Sequence, residues 1–297
     1  VDTVLPFSGQ TTVAVTLASA TALGGGSLVW AQPVANPNVS VSTTSVLLVD
    51  PGTPAALLVL APGMGLDKGS PTGHTGTAIA TAAGANYPVR LFVTDALHNP
   101  VLCSEYPVTP PAPDCIEPGV QVTLGDPHAP IVPNYQVTGG SRTIDLQFWS
   151  NTVIEPVGGP WSIGISTNDG SALSSGVITG VVVNPAAPYQ FQVLVPTETP
   201  VGGSQALLGR STYSATPELA GATFTVTVNL VDRFFNRMPP GFNSTFKLSS
   251  DDPNDRLADM GSFTTSNGQK LSTGVFLVTQ STTTGWTITA STTTGDA

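Results

Sequence analysis

The sequence predicts an all-β protein made of tandem β-sandwich domains in an extended arrangement. Two observations predict it: short runs in which apolar and polar residues alternate, and stretches that recur 134 to 137 residues apart. Alternation places successive side chains on opposite faces of a strand, one buried and one in water. The 31 glycines and 27 prolines supply frequent turn signals, and short strands between such turns are typical of sandwiches.

The alternation is clearest in residues 224–230, where apolar side chains are separated by Thr or Asn at every second position. Residues 87–93 follow the same pattern. Pro88 falls on the outward side of this second run. Because proline has no backbone N–H to donate, it favours an edge strand.

Internal repetition organises the chain. Three blocks recur, and each is given with its second copy: residues 49–62 with 183–196, 83–99 with 220–236, and 161–167 with 286–292. Val15-Thr16-Leu17 also resembles Val122-Thr123-Leu124, which suggests a third, partial copy. Recurrence of several blocks in the same order indicates a repeat architecture. We therefore expect the second half of a repeat, either partial or strand-exchanged, in residues 1–48 and fuller copies in residues 49–180 and 181–297.

The first block contains the element Val-(Asp/Asn)-Pro-x-x-Pro, at residues 49–54 and 183–188. Two prolines fix φ twice and keep the preceding residues extended. The element is therefore interpreted as a semi-rigid connection between domains.

Composition and charge exclude several functions. Only 9% of residues are charged, and the formal net charge is −10 with a sequence pI of about 4.4. Nucleic-acid binding requires a basic surface, so no nucleic-acid partner is expected. No apolar run approaches the ~20 residues of a membrane-spanning helix.

Two cysteines, Cys103 and Cys115, lie at or beside the Pro-rich stretch 106–118. They are interpreted as a disulfide that closes one long loop. The alternatives are two free thiols or a metal pair, and a metal site would need more ligands nearby. A disulfide predicts an oxidising compartment, and hence an extracellular or cell-surface location.

Three features carry a family resemblance: the strand Ala-Gly-Ala-x-aromatic, the later Trp-(Ser/Thr)-Ile strand, and the pairs Asp95/Asn99 and Asp232/Asn236. With these the chain resembles bacterial immunoglobulin-like repeat domains of large cell-surface and adhesin-type proteins. The resemblance implies immunoglobulin-like β-sandwiches that act as spacers, adhesive modules or polymer subunits. The familiar pattern has Gly before the Asn, where this chain has His98 and Phe235.

Asp95 and Asp232 end their strands at equivalent positions. We expect each to cap a turn by accepting backbone N–H groups, with Asn99 and Asn236 completing the turn. The alternative is a calcium ligand at a domain junction.

An acidic cluster is a second candidate for calcium, which prefers oxygen ligands. Its candidate ligands are Asp251, Asp252, Asn254 and Asp255. The spacing is not that of an EF-hand, so a solvated acidic loop is the favoured interpretation. The three histidines form no zinc motif and no GxSxG element occurs. No catalytic residue and no obligatory cofactor is therefore expected.

Two further sets of residues complete the candidates. Trp161 and Trp286 occupy matching positions and are expected in the core. Asn38 and Asn243 begin Asn-x-(Ser/Thr) triplets, which are N-glycosylation signals in organisms that glycosylate exported proteins.

The sequence thus predicts a structural extracellular repeat protein that forms a stalk, filament or surface layer. Its partners would be neighbouring repeats or further copies of itself. The main alternative is an adhesin module in which the loop 106–118 binds a glycan or a protein. An accessory domain of a larger secreted enzyme is a third hypothesis.

Overall fold

The computed structural model describes residues 14–19, 27, 29–31, 42–43, 46–47, 49–103, 115–154, 159–212, 215–281 and 285–292. The protein is all-β, as predicted, and its several small sheets fit a β-sandwich. The helical elements are single 3-10 turns at Thr138–Gly140, Ala206–Leu208 and Leu257–Met260. Within these residues no helix is long and apolar enough to cross a membrane.

The leading segment, meaning the described residues up to 47, contains strands β1 (Trp30–Ala31) and β2 (Ser42–Thr43). The two strands pair antiparallel, and an isolated bridge between Ser27 and Leu47 extends the pairing.

The middle unit comprises the described residues from 51 to 184. Its strands are β3 (Ala56–Leu60), β4 (Met64–Leu66), β5 (His74–Gly76), β6 (Thr81–Ala82), β7 (Tyr87–Thr94), β8 (Gly119–Leu124), β9 (Tyr135–Gln136), β10 (Ser141–Leu146), β11 (Trp161–Thr167), β12 (Gly176–Val181) and β13 (Val183–Asn184). One sheet has the order β10-β7-β3 and a second has the order β12-β11-β8-β9. β4 and β5 form a hairpin, and β13 pairs with β6 in parallel.

The last unit comprises the described residues from 185 to 292. Its strands are β14 (Gln190–Leu194), β15 (Phe224–Val231), β16 (Thr245–Ser250), β17 (Ser262–Thr264), β18 (Gln269–Val275) and β19 (Ile288–Thr292). They form sheets with the orders β14-β15-β18 and β17-β16-β19. These orders repeat those of β3-β7-β10 and β9-β8-β11 in the middle unit.

Each unit has its own hydrophobic core. In the middle unit, Val89 and Leu91 of β7 and Ile163 of β11 are fully buried in one cluster. In the last unit, Val226 of β15 and Phe246 of β16 occupy the corresponding cluster. Burying one such side chain stabilises a fold by about 1.5–3 kcal/mol. The alternating residues therefore face inward as their spacing predicts.

Strand β7 is the centre of its sheet, so the edge-strand expectation drawn from Pro88 is wrong. β7 pairs with β10 from its first residue, but β3 reaches only as far as Arg90. Pro88 therefore lies at the start of the strand, beyond the end of β3. This is the other position at which a sheet tolerates a missing N–H donor.

The outward faces of the two three-stranded sheets differ in chemistry. In the middle unit, Leu58, Leu60 and Phe92 form a small apolar cluster against Met64 and Leu66 of the β4–β5 hairpin.

In the last unit, amide side chains occupy this face. Asn229 donates from Nδ2 to Oε1 of Gln192 at 3.1 Å and accepts at Oδ1 from Nε2 of Gln269 at 3.0 Å. Gln192 in turn donates to the carbonyl of Gly209 at 2.6 Å. This amide ladder crosses all three strands and ties the covering loop to the sheet.

Asn229→Ala removes the centre of the amide ladder. Because it leaves Oε1 of Gln192 and Nε2 of Gln269 without their partner inside the fold, we expect the free energy of unfolding of the last unit to fall by about 1–3 kcal/mol. Thr227→Ala is the matched control, since Thr227 lies on the same face of β15 and forms no side-chain hydrogen bond with described residues. Urea denaturation measures both. Equal losses for the two variants would contradict the role of the ladder.

Candidate functional site at the unit junctions

Asp95 follows β7 and organises a turn that ends at Asn99. Its Oδ1 accepts the backbone N–H groups of Leu97 at 2.8 Å and Asn99 at 2.9 Å. Its Oδ2 accepts the N–H of Gly52 at 2.8 Å and Nδ2 of Asn99 at 3.0 Å. Gly52 belongs to the connecting element, so one carboxylate holds both the turn and the linker.

Asp232 repeats this geometry after β15. Its Oδ1 accepts the N–H groups of Phe234 at 2.8 Å and Asn236 at 2.9 Å. Its Oδ2 accepts the N–H of Ala186 at 2.8 Å and Nδ2 of Asn236 at 2.9 Å. Each carboxylate oxygen therefore accepts two hydrogen bonds, as in a side chain that caps a turn.

The hydrogen bonds also determine the protonation state of Asp95, the carboxylate of the first turn. Burial acts to raise the pKa of Asp95, but the donors on Gly52, Asn99 and Leu97 outweigh it and hold the pKa below its ordinary value. The turn is thus built around a charged carboxylate.

The residue before each Asn has a left-handed backbone. φ is +58° at His98 and +62° at Phe235. This conformation is strained for residues with a side chain and suits Gly, the residue of the familiar pattern. The carboxylate hydrogen bonds on both sides of the position offset that strain. Phe235 is buried and contacts Gly209, itself left-handed at φ +71°.

Asn236 connects the last unit to the middle unit. Its Nδ2 donates to the carbonyl of Trp149 at 2.7 Å, and its Oδ1 accepts the backbone N–H of Asn151 at 2.9 Å and Nδ2 of Asn151 at 3.2 Å. Together with the bond to Asp232, every donor and acceptor of the amide is used. Both asparagines are buried, so this contact is shielded from water.

Asn99 makes the corresponding contact with the leading segment. Its Nδ2 donates to the carbonyl of Ala18 at 2.9 Å. Ala18 therefore occupies the place of Trp149, and residues 14–19 correspond to the end of β10 and the residues after it. The match of Val15-Thr16-Leu17 with Val122-Thr123-Leu124, inferred from the sequence, is wrong.

A glycine of each later unit packs against a serine of the unit before. A Cβ added to Gly203 would lie 2.7 Å from both Cα and N of Ser150. A Cβ added to Gly69 would lie 2.5 Å from Oγ of Ser19. Only glycine permits this approach, and both residues have positive φ, +81° and +78°.

Aromatic rings complete the junction between the middle and last units. Phe234, the third residue of the turn, meets Trp149 with ring centroids 5.6 Å apart. It also packs against the core cluster of the middle unit, and Gly84 leaves space for its ring. The turn thus adds apolar contact to its hydrogen bonds.

Residues 149–151 of the middle unit, the segment that receives Asn236, are held by Asp126. Its Oδ2 accepts the N–H groups of Trp149 at 2.7 Å and Ser150 at 2.9 Å, and its Oδ1 accepts the Ser150 hydroxyl at 2.6 Å. Nε1 of Trp161 donates to the Ser150 carbonyl at 2.8 Å. Trp161 is buried in the core, as expected, whereas Trp286 is only half-buried and lies outside the core cluster of the last unit, so the expectation for Trp286 is wrong.

Asp252 holds the corresponding residues of the last unit, Val278 and Thr279, in the same way. Its Oδ2 accepts the N–H groups of Val278 at 2.7 Å and Thr279 at 2.9 Å. Nε1 of Trp286 donates to the Thr279 carbonyl at 2.7 Å. Burial acts to raise the pKa of Asp252, but hydrogen bonds from Thr279, Asn254 and Val278 outweigh it and lower the pKa to about 2.

The acidic cluster is occupied by hydrogen bonds within the chain. Asp251 accepts from the N–H of Thr287, and Asp255 accepts from the N–H groups of Ser250 and Leu257. Nδ2 of Asn254 donates to the Thr279 hydroxyl. Among the described residues, no three His, Cys, Asp or Glu side chains gather closely enough to hold a metal ion.

The remaining described candidates, Cys103, Cys115 and Asn243, take no part in the junction contacts. Cys103 and Cys115 form the expected disulfide, with Cα atoms 5.4 Å apart. Residues 104–114, most of the loop considered for ligand binding, lie outside the described residues, as does Asn38. Asn243 is exposed between β15 and β16.

The sequence did not identify the receiving side of the junction, Trp149, Ser150 and Asn151. Its only signal was indirect. Asp126-Pro127 and Asp252-Pro253 follow equivalent strands, and a repeated Asp-Pro at a strand end indicates a carboxylate that caps neighbouring backbone.

Comparison with known proteins shows no family. No family model matches the chain, and no curated protein matches it. Among solved structures, the apo structure of Bacteroides uniformis beta-glucuronidase 3 aligns with 80% of this chain at 9% identity and a TM-score of 0.23. The chain spans 23% of the length of that enzyme.

Gly203→Ala tests the close approach at the junction. The added methyl group collides with Ser150, whereas Gly221→Ala, at φ +78° with no atom within 4 Å, adds the same backbone strain in open space. We expect the Gly203 variant to lose about 1–3 kcal/mol more unfolding free energy than the Gly221 variant. Thermal and urea unfolding compare them. Indistinguishable variants would mean that Gly203 and Ser150 do not pack together.

Acidification tests the cap at Asp252. Because its folded-state pKa of about 2 lies below the ordinary 3.8, its contribution to stability is complete above about pH 4 and is lost as the pH falls towards 2. Asp252→Asn should be less stable at neutral pH and lose less stability over this range. Asp259→Asn, at an exposed ion pair with Arg256, is the control. Urea unfolding at several pH values measures the slopes, and an unchanged slope in Asp252→Asn would refute the assignment.

Proposed function

We propose that this chain is a structural, extracellular repeat protein that forms part of a stalk, filament or surface layer and catalyses no reaction. The observation that carries the proposal is the repeated junction. Asn99 and Asn236 lie at the same place in consecutive units, and each bonds a backbone carbonyl of the unit before it. Repeats that contact only their neighbours in one geometry build an extended array.

The strand order supports immunoglobulin-like sandwiches. The orders β10-β7-β3 and β12-β11-β8-β9 correspond to strands E-B-A and G-F-C-C′ of that fold. The last unit repeats the E-B-A sheet and the F-C-C′ part of the other. This correspondence agrees with the resemblance to bacterial immunoglobulin-like repeats.

The linkers support a stiff array. Pro51 and Pro185 restrict the backbone where the units meet. The carboxylates of Asp95 and Asp232 then bond the N–H groups of Gly52 and Ala186 inside these same linkers. A linker fixed both by proline and by a hydrogen bond cannot act as a free hinge.

The chemistry of the buried carboxylates favours a non-catalytic role. Asp95, Asp126, Asp232 and Asp252 are buried, and all four accept several N–H groups. A general base must have a free lone pair directed at a substrate. These side chains direct theirs at the backbone, where they stabilise turns.

The disulfide and the composition support the proposed location. A disulfide persists in oxidising surroundings such as the cell exterior. The low content of charged residues and the many Thr and Ser side chains give a polar surface that depends little on ion pairs.

Asn236→Ala tests the rigid junction. It removes the amide that bonds the Trp149 carbonyl and the Asn151 N–H, so the angle between the middle and last units should become variable while both remain folded. Small-angle X-ray scattering should show a broader distribution of interatomic distances. Unfolding free energy should fall by about 1–3 kcal/mol.

Asn243→Ala is the matched control, because Asn243 is an exposed asparagine of the same unit. Its scattering curve should superimpose on that of the parent chain. If the curve of Asn236→Ala superimposes as well, the amide does not fix the junction and the proposal loses its main support.

A further inference from the structure

Residues 278–280 of the last unit are built like residues 149–151, the segment that receives Asn236. Asp252 and Trp286 hold them with the same bonds that Asp126 and Trp161 make in the middle unit. Val278 therefore corresponds to Trp149, Thr279 to Ser150 and Gln280 to Asn151.

The groups of the last unit that correspond to those bonding Asn236 in the middle unit are the Val278 carbonyl and the Gln280 N–H. Within the described part of the chain, nothing donates to the Val278 carbonyl or accepts from the Gln280 N–H. Both residues are exposed, Val278 by 40%. A carbonyl and an N–H two residues apart present one acceptor and one donor. A carboxamide supplies the complementary donor and acceptor from a single group.

A shallow groove, largely open to solvent, lies beside this segment. Its volume is about 440 Å³, and its lining consists of Arg256, Asp259, Met260, Phe276 and Val278. In the middle unit, Trp149 holds the position of Val278, and its indole ring lies against Phe234 with ring centroids 5.6 Å apart. Since Val278 is much smaller than Trp, the last unit leaves room there. The apolar side chains of Met260 and Phe276 suit a phenyl ring.

We propose that Val278–Gln280 and the adjoining groove bind a second copy of this repeat through its Asp-x-x-x-Asn turn. The Asn of the turn bonds the Val278 carbonyl and the Gln280 N–H, and the aromatic residue of the turn enters the groove. This inference rests on the proposed function and names its partner. The occupant follows from the two junctions already present in the chain, where the same kind of segment receives the same kind of turn.

An extended chain provides the test. In it, residues 1–292 are followed by residues 168–297, so that the strand ending in Ser291-Thr292 continues with the sequence that follows Ser166-Thr167. The added segment contains a complete copy of the turn. Amide hydrogen exchange should become at least about tenfold slower at Gln280 than in the parent chain. Asn236→Ala placed only in the added copy should abolish the change.

Asn151 is the internal reference, because its N–H is already bonded to Asn236. Slow exchange at Asn151 with unchanged exchange at Gln280 would overturn this inference and leave the proposed function intact. Fast exchange at Asn151 in the parent chain would instead contradict the junction on which the proposed function rests.

A second variant tests the same point without lengthening the chain. Trp149→Val, Ser150→Thr and Asn151→Gln together give the middle unit the receiving sequence of the last unit. If Val-Thr-Gln receives the turn, the amide at position 151 remains protected and Asn236→Ala removes that protection. Loss of protection in the triple variant, with both units folded by circular dichroism, would overturn the proposal.

Discussion

A buried carboxylate at the end of a strand requires several hydrogen-bond donors, because burying its oxygens unpaired would cost more free energy than the turn contributes. Asp95 and Asp232 obtain four each. To bring its N–H groups to the carboxylate, the chain turns sharply, and the residue before each Asn adopts a left-handed backbone. The same carboxylate also accepts the N–H of a linker residue. The turn also directs the Asn amide outward, towards the preceding unit. The junction is therefore a consequence of how the turn is satisfied.

The sequence predicted the two Asp–Asn turns, but neither their contact with the preceding unit nor the residues of that unit that receive them. Asp95, Asn99 and their counterparts stand out because residue type and spacing recur. Trp149, Ser150 and Asn151 do not, since the corresponding residues are Val278, Thr279 and Gln280. The reason is physical: the turn uses side chains, which a sequence records, whereas its receiver mainly offers a backbone carbonyl and a backbone N–H, which every residue has.

The limits of side-chain patterns also explain two wrong predictions, the edge position of β7 and the match of residues 15–17 with residues 122–124. Alternation identified β7 correctly but not its neighbours, because a central strand and an edge strand can share one pattern when the outward face is also covered. Phe92 on that face is buried under the β4–β5 hairpin. Likewise, Val15-Thr16-Leu17 alternates like any strand of the repeat, and its position is given only by the contacts of Ala18 with Asn99 and of Ser19 with Gly69.

A comparison of the two units shows which features they share and which differ between them. Their outward sheet faces differ completely, with an apolar cluster at Phe92 and an amide ladder at Asn229, and each suits the loop that covers it. The two Asp–Asn turns agree in every carboxylate hydrogen bond. A covering loop is local and can change together with the face beneath it. A junction couples one unit to the next, so a change on one side alone would leave buried polar groups unpaired on the other.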